Sequence, residues 1–214
     1  MPRAAAPDLD FLTARLHGRR ARIADGPRLD ALARRPGVLE LARAVAAPAE
    51  VVGAEELQRW LRQDLEREVA ALVPLVPRAG AALCDWLVAG ARLARVKAEF
   101  RRLLAAPAPP RHGPLRPVLL GARALAGERP RPFFFEAALD HGYLVELVAR
   151  LRRLPAEDRL VVAPLLLQDA DLFHLRLAAR GRFGYGVAPA VLLPFHVSGT
   201  LLPRGRFAAM LHAP

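Results

Sequence analysis

The chain has 214 residues, of which 53% are hydrophobic and 25% charged, and its formal net charge is +11 at pH 7. This length and composition predict one globular domain or two packed lobes with a real core, and they exclude a disordered chain. No apolar run reaches the roughly 18 residues of a membrane-spanning helix, and the single cysteine, Cys84, excludes an internal disulfide or a cysteine metal cluster.

The basic charge has two explanations. An acidic partner such as nucleic acid or an anionic membrane surface is one. The other is GC-rich coding, because Lys97 is the only lysine, Ile23 the only isoleucine and Ser198 the only serine, and asparagine is absent. The charge is also segregated: residues 92–131 hold ten basic and two acidic residues, whereas the charged residues of 132–149 are all acidic. Such adjacent segments predict complementary lobes or partner surfaces.

Helical spacing of apolar residues dominates the first half of the chain. Asp8 is placed to cap the first helix, which is expected to end near Gly26. Prolines separate the short helices that follow. The last and longest helix carries two apolar stripes, so we expect it to bury two faces. The predicted helices cover residues 9–23, 28–34, 37–46, 54–73 and 79–106.

A proline-rich segment, PAPPRHGPLRP at residues 107–117, is predicted to link two lobes because its prolines forbid a helix. The N-terminal lobe is then residues 1–106 and the C-terminal lobe residues 118–214. Helical spacing resumes in the second lobe over residues 118–126, 133–154, 155–180, 187–195 and 203–211. Strand-like alternation is missing throughout, so the predicted fold class is all-α.

Two details of the second lobe are also predicted. Pro164 is expected to kink or divide its helix. The segment GRFGYG that follows is expected to form a turn, with Gly181 or Gly184 in the left-handed conformation.

Candidate catalytic groups cluster in DADLFHLRLAARGR, but their spacing disfavours catalysis. On a helix, Asp169 and Asp171 lie on different faces, so they do not form an acid/base pair. The chain has no HExxH motif, no pair of histidines three or four apart, and no second serine for a Ser/His/Asp set. His141 is expected to face solvent. We therefore predict no catalytic residue, no metal site and no cofactor.

The basic helix ARLARVKAEFRRLL offers an alternative function, that of a small basic helical nucleic-acid-binding protein. Trp86 or Phe100 would then stack on bases. Against this interpretation, Phe100 lies on an apolar stripe, where a core position is commoner. The candidate partner-contact residues of this helix are Arg92, Arg95, Lys97, Arg101 and Arg102.

One signature points to a family. The residues Asp171, His174, Arg180 and Arg182 follow the pattern of aspartate, asparagine three on, arginine nine on and a basic residue eleven on, with histidine in place of asparagine. This pattern resembles the C/d-type central-stalk component of V-type and archaeal-type rotary ATPases, which is designated d in eukaryotes. The preceding helix FFFEAALDHGYLVEL is similar to the helix that precedes the signature in that family, with Glu136, Asp140 and Tyr143 at the matching positions.

Both ends of the chain extend the resemblance. FLTARLHGRRARI is similar to the family's opening YxxARxR helix, with Phe11 for the tyrosine and Ala14 and Arg15 retained, and LPRGRFAAML resembles its closing helix. The segment ARLARVKAEFR resembles a first copy of the signature in which Arg92 and Arg95 replace the aspartate and asparagine. Because the chain is shorter than typical members, the resemblance implies a short, divergent bacterial member.

In that family the protein is a helical funnel on the cytoplasmic face of the membrane rotor ring, and it receives the foot of the central shaft without doing chemistry. The resemblance implies packed helical lobes that form a funnel or partial funnel. It also implies a non-catalytic rotor component of a proton or sodium pump, with shaft and ring proteins as its partners. The opening MPRAAAPDLDFL lacks an export-signal pattern, in keeping with a cytoplasmic location. Asp171 and Arg180 are expected to act as struts that pair with neighbouring helices.

Overall fold

Helices form all the regular secondary structure of the described residues. The computed structural model describes residues 9–20, 23–102, 115–126 and 132–213. The helices in chain order are α1 Leu9–Arg20, α2 Gly26–Ala33, α3 Val38–Ala44, α4 Ala54–Ala70, α5 Arg78–Arg102, α6 Arg116–Ala126, α7 Pro132–Leu151, α8 Ala156–Leu177, α9 Pro189–Leu192 and α10 Arg204–His212. No strand occurs in these ranges, and the predicted all-α class is confirmed. The predicted funnel stays a prediction.

The chain divides into two compact units, Met1–Val88 and Ala89–Pro214. The division falls inside α5, so one continuous helix contributes to both units. Most of the predicted linker at residues 107–117 lies outside the described residues, and its last positions already belong to the start of α6. The lobe boundary expected there therefore stays a prediction.

The N-terminal unit is built around a small apolar cluster between α3 and α4. Ala42, Val51 and Leu57 are buried in it. The half-buried residues that pack around them are Val38, Leu41, Val45, Ala47 and Trp60. Arg19 of α1 is tied to α4, since its guanidinium donates to the main-chain carbonyl of Glu68 at 2.9 Å and pairs with the Glu68 carboxylate.

The C-terminal unit is organised by α7, which is apolar on several faces. Its buried residues are Phe134, Phe135, Ala137, Ala138, Leu139, Leu144, Leu147, Val148 and Leu151. Helix α6 approaches α7 so closely that a Cβ on Gly142 would lie 3.0 Å from Cγ1 of Val118. Phe195, Phe207 and Leu211, from the C-terminal end of the chain, are among the largest fully buried side chains. The C-terminal segment thus contributes large side chains to this core.

Helix α5 differs from the prediction of two buried faces. Its buried side chains recur every three or four residues and form one stripe: Leu83, Trp86, Ala89, Leu93 and Val96. The apolar residues Leu87, Ala94 and Ala98 of the same helix are exposed. Small and apolar side chains at helical spacing do not by themselves identify a contact face, because alanine is tolerated equally well in solvent.

The segment after helix α8 also differs from the prediction, and of the two alternatives given for Pro164 the division of the helix is excluded. Pro164 does not divide α8, which stays helical from Ala156 to Leu177. A π-helical segment, Ala178–Gly184, replaces the expected turn. The N–H of Tyr185 donates to the carbonyl of Arg180 at 2.8 Å, five residues back, as a π-helix requires. Because the helical winding continues past Gly181 and Gly184, neither glycine is left-handed, and the positive φ of 64° falls on Gly186.

Candidate functional site

The signature residues of α8 hold the loop that connects the 3-10 turn Leu193–Phe195 with α10. Asp171 is half-buried on α8 and its Oδ1 accepts a hydrogen bond from the main-chain N–H of Leu202 at 2.9 Å. Leu202 lies 31 residues further along the chain. A carboxylate that accepts a main-chain N–H replaces the hydrogen bond that this N–H would otherwise lose on leaving water. Asp171 therefore fixes the far end of the loop on α8.

His174, one turn further along α8, fixes the near end of the same loop. Its side chain is fully buried, and its Nε2 accepts the N–H of Val197 at 2.9 Å. Because Nε2 is the acceptor, the neutral ring carries its proton on Nδ1. The Nδ1 atom lies 3.8 Å from Oδ1 of Asp171, beyond hydrogen-bond distance. Burial, followed by the proximity of His196, lowers the pKa of His174 to about 4.

His196 completes the arrangement around the loop. Its ring stacks on that of His174, with centroids 4.8 Å apart and planes at 9°. Its Nε2 lies 3.0 Å from the carbonyl oxygen of Leu202, so Nε2–H is the donor in the neutral ring. Nδ1 of His174 and Nδ1 of His196 are buried without a hydrogen-bond partner in the described structure. Protonating the fully buried His174 ring would bring a charge into this interior.

The two arginines of the signature have different roles. Arg182 donates from Nε to the carbonyl oxygen of Leu211 at 3.2 Å, which satisfies an end carbonyl of α10. The guanidinium of Arg180 lies 6.0 Å from the ring centroid of Phe133 on α7. Phe133 in turn packs on Tyr185, with centroids 5.1 Å apart. We call Asp171, His174 and Arg182 the C-terminal clamp, because each bonds a main-chain atom of the last 20 residues.

The contacts of Asp171 and Arg180 can be compared with the expected pairing with neighbouring helices. In the described structure Asp171 instead contacts the Leu202 N–H, which lies in a loop, and His174 of its own helix. Arg180 contacts an aromatic ring and not a carboxylate. Main-chain partners have no sequence pattern of their own, so the sequence did not indicate the Leu202 N–H as the partner of Asp171.

The second motif, on α7, makes contacts with α5. Asp140 forms an ion pair with Lys97, the only lysine of the chain. Burial raises the pKa of Asp140, and the neighbouring Lys97 opposes that rise. Tyr143 lies against α5 at Gly90, where an added Cβ would be 2.7 Å from the Cζ atom of the phenol. Burial, with Asp169 adding to it, raises the pKa of Tyr143 to about 12. Glu136, one turn before Asp140, is half-buried.

The remaining predicted residues lie on α1 and α5. On α1, Ala14 is exposed and Arg15 half-buried. Among the candidate partner-contact residues, Lys97 is committed to Asp140 within the chain. Arg95 is exposed and Arg92 half-buried on α5. The side chains of Arg101 and Arg102 lie outside the described part of the chain.

His141 does not face solvent as expected. It is half-buried, with its ring centroid 6.2 Å from that of Phe195 in an edge-on arrangement. Burial lowers its pKa, while a hydrogen bond to the main chain of His196 opposes that change. The helical wheel alone did not show this, because the side chain that covers His141 comes from a segment 54 residues away.

Three residues of this region were missed by the sequence reasoning. His196 and Gly199 belong to the loop that the clamp holds, and Gly90 receives Tyr143. Gly199 has φ of 87°, and a Cβ there would collide with the guanidinium of Arg152. The dipeptide Ser198-Gly199 is a turn signal that would have identified the loop. Nothing in the sequence marks Gly90 apart from other helical glycines.

The chemistry of the arrangement is that of structural anchoring. Each side chain of the clamp makes one hydrogen bond to the main chain, and in the described residues no group of three or more His, Cys, Asp or Glu side chains is placed to hold a metal ion. None of the helices in that part of the chain has the length and hydropathy needed to cross a membrane.

Fold and site together define an all-α protein with a C-terminal segment anchored by polar side chains. Comparison with known proteins finds no matching family, no matching curated protein and no matching solved structure.

Proposed function

We propose that this chain is the non-catalytic central-stalk component of a V-type proton- or sodium-translocating ATPase or ATP synthase. In this role it is a socket that couples the central shaft to the membrane rotor ring from the cytoplasmic side. The proposal rests on the resemblance of the two C-terminal motifs and on what their residues do in the fold.

The observation that carries the proposal is the use made of the signature residues. Asp171, His174 and Arg182 hold the main chain of the C-terminal segment, at Leu202, Val197 and Leu211 respectively. Catalytic groups would be expected to converge on a cavity and to keep hydrogen-bonding atoms available for a substrate. Anchoring is what a torque-transmitting adaptor requires, since a densely packed core transmits strain without yielding.

The ion pair between Lys97 and Asp140 gives further support. The basic segment and the acidic segment of the sequence meet here within the chain, which accounts for part of the charge segregation without nucleic acid. Arg95 on the same helix is exposed, where an acidic protein surface can reach it. Charge complementarity at such a surface selects the partner and its orientation more than it adds affinity.

The test is co-purification with the shaft and ring proteins of the same organism. We expect the tagged chain to retain both at about 150 mM salt, with binding weakened by Arg95→Glu on α5 and unchanged by Arg204→Glu, an exposed arginine on α10. Failure to retain either partner would reject the proposal.

A parallel measurement addresses the alternative of nucleic-acid binding. Fluorescence anisotropy with labelled RNA and DNA should show no submicromolar binding. Tight binding whose affinity falls steeply with salt would favour the nucleic-acid function instead.

A further inference from the structure

Helix α8 presents an exposed apolar stripe on the side opposite its buried face. Val161, Leu165, Leu172 and Leu175 are 72%, 67%, 45% and 49% exposed. At about 100° per residue, these four side chains fall within about 40° of one line along the helix. The buried residues of the same helix lie on the other side and are Ala170, Phe173, His174 and Leu177. Single exposed leucines are ordinary on protein surfaces, but a row along one helix is typical of an interaction face.

The charged residues beside the stripe are arranged with opposite signs at its two ends. Asp158 lies in the first turn of α8 and Arg176 in the last turn, and both are exposed. On the helical wheel each lies about 60° from Val161, on the same edge of the stripe. One edge of the stripe therefore starts acidic and ends basic.

The stripe is nearly symmetric about Gln168. Val161 and Leu175 each lie seven residues from it, and Leu165 and Leu172 lie three and four residues from it. If a second copy of α8 runs antiparallel across the same face, Val161 meets Leu175 of that copy and Leu165 meets Leu172. The positions of Asp158 in one copy and of Arg176 in the other are then offset along the helix axis by about two residues, or about 3 Å. A two-fold axis keeps both on the same edge, so the carboxylate and the guanidinium come within reach.

We propose that this face is a self-association surface, through which two copies of the chain pair with antiparallel α8 helices. The interface is isologous, with each copy contributing the same stripe and two symmetric Asp158 to Arg176 pairs. A parallel pairing would bury the same leucines but would form neither pair, because Asp158 and Arg176 would lie 18 residues apart along the helices and on opposite sides of the two-fold axis. Charge therefore selects the antiparallel orientation.

One helix pair buries less surface than the roughly 800 Å² per partner of a standard interface. The dimer is accordingly a reversible one that forms and dissociates with concentration. The inference goes beyond the proposed function and uses only the surface of α8, so it stands or fails independently of the rotor assignment.

The first test is sedimentation velocity of the full chain over a concentration range of about 1 to 500 µM, chosen to bracket a weak interface. We expect a shift from monomer to dimer. Leu165→Lys should move the midpoint at least tenfold to higher concentration. The matched control is Leu160→Lys on the same helix, since Leu160 is 77% exposed but lies about 100° from Val161 on the helical wheel, outside the stripe. The control should leave the midpoint unchanged.

The second test separates this arrangement from other pairings through charge. Asp158→Arg alone and Arg176→Asp alone should each weaken the dimer, because each places like charges together. The double variant should dimerise as the original chain does. An equimolar mixture of the two single variants should also recover the dimer, since each supplies the charge that the other lacks.

Three outcomes would overturn the inference. The first is a monomer throughout the range with an unchanged melting temperature for Leu165→Lys, which would assign the stripe to another protein. The second is a monomer that this substitution destabilises, which would mean that the chain itself covers the stripe. The third is a dimer that is insensitive to the charge exchange, which would place the contact elsewhere.

Discussion

The hydrogen bond between Asp171 and the N–H of Leu202 is one of the few polar contacts that fix the C-terminal loop on α8. Removal of the acceptor leaves a half-buried main-chain donor without a partner, and such a group costs about 1 to 3 kcal/mol. We therefore expect Asp171→Ala to lower the free energy of unfolding by about 1 to 3 kcal/mol. Asp171→Asn keeps an oxygen acceptor and should lose less. Urea denaturation checks both, with the exposed Asp169→Ala on the same helix as control; equal losses at the two aspartates would contradict the clamp.

His174 makes the stability of the protein sensitive to acid. Its pKa of about 4 lies below the ordinary value of 6.5, so between these values the unfolded chain binds more protons than the folded chain. The stabilisation is complete above about pH 6.5 and is lost as the pH falls towards 4. A shift of this size corresponds to at most about 3 kcal/mol. Asp171, His196 and His141 are the titratable groups that act on this ring.

His174→Gln tests this dependence, because a glutamine oxygen can replace Nε2 as acceptor for the Val197 N–H but does not titrate. We expect the variant to lose less stability than the original chain between pH 7 and pH 5, as measured by urea denaturation. Other groups, including Asp140, titrate in both proteins, so the difference between the two pH profiles is the informative quantity. The exposed His212→Gln should keep the original profile. Parallel profiles for the original chain and His174→Gln would show that another group is responsible.

At the scale of single elements, the C-terminus of α3 contains a residue in an unfavourable conformation. Ala46 has φ of 57°, and the chain forms a Schellman motif in which the N–H of Ala47 donates to the carbonyl of Ala42 at 2.9 Å. A left-handed residue with a Cβ costs roughly 1 kcal/mol relative to glycine. Ala46→Gly should therefore stabilise the protein by about 0.5 to 1 kcal/mol in thermal or urea unfolding. Ala44→Gly, at the last residue of α3, should destabilise it by a similar amount; a loss of stability at both positions would contradict the cap.

The contact between α5 and α7 depends on Gly90. A methyl group there would collide with the Tyr143 phenol, whereas a methyl group on Gly121 of α6 would meet no atom within 4 Å. Alanine is the better helix former by about 1 kcal/mol, so Gly121→Ala should be neutral or stabilising. Gly90→Ala should destabilise by about 1 to 3 kcal/mol, because the rigid ring must move. Differential scanning calorimetry of both variants checks the pair, and equal melting temperatures would show that the ring accommodates the methyl group.

The elements themselves could be predicted from the sequence, and their contacts mostly could not. Apolar spacing and proline positions located the helices because both act within a few residues. The π-helical segment was not predicted, since its backbone conformation depends on packing around Gly181, where Leu192 and Phe133 approach. The signature residues were found, but the partners of Asp171 and His174 lie 31 and 23 residues away and are main-chain groups. No pattern of side chains in the sequence predicts a main-chain partner.

At the scale of the whole molecule, the two units differ in the amount of core that they bury. Among the described residues, six buried hydrophobic side chains belong to Met1–Val88 and 26 to Ala89–Pro214. Burial of apolar surface is the main stabilising contribution in folding. The C-terminal unit should therefore be the more stable of the two, even though α5 runs through both.

The aromatic residues allow this difference to be measured without labels. Both tryptophans, Trp60 and Trp86, lie in the N-terminal unit, and both tyrosines, Tyr143 and Tyr185, lie in the C-terminal unit. We expect urea unfolding followed by tryptophan fluorescence to have a lower midpoint than unfolding followed by the near-ultraviolet signal of tyrosine. Ala46→Gly should shift only the first transition and Asp171→Ala only the second, because each acts on the core of its own unit. Coincident transitions that both variants shift together would show that α5 couples the two units into one cooperative fold.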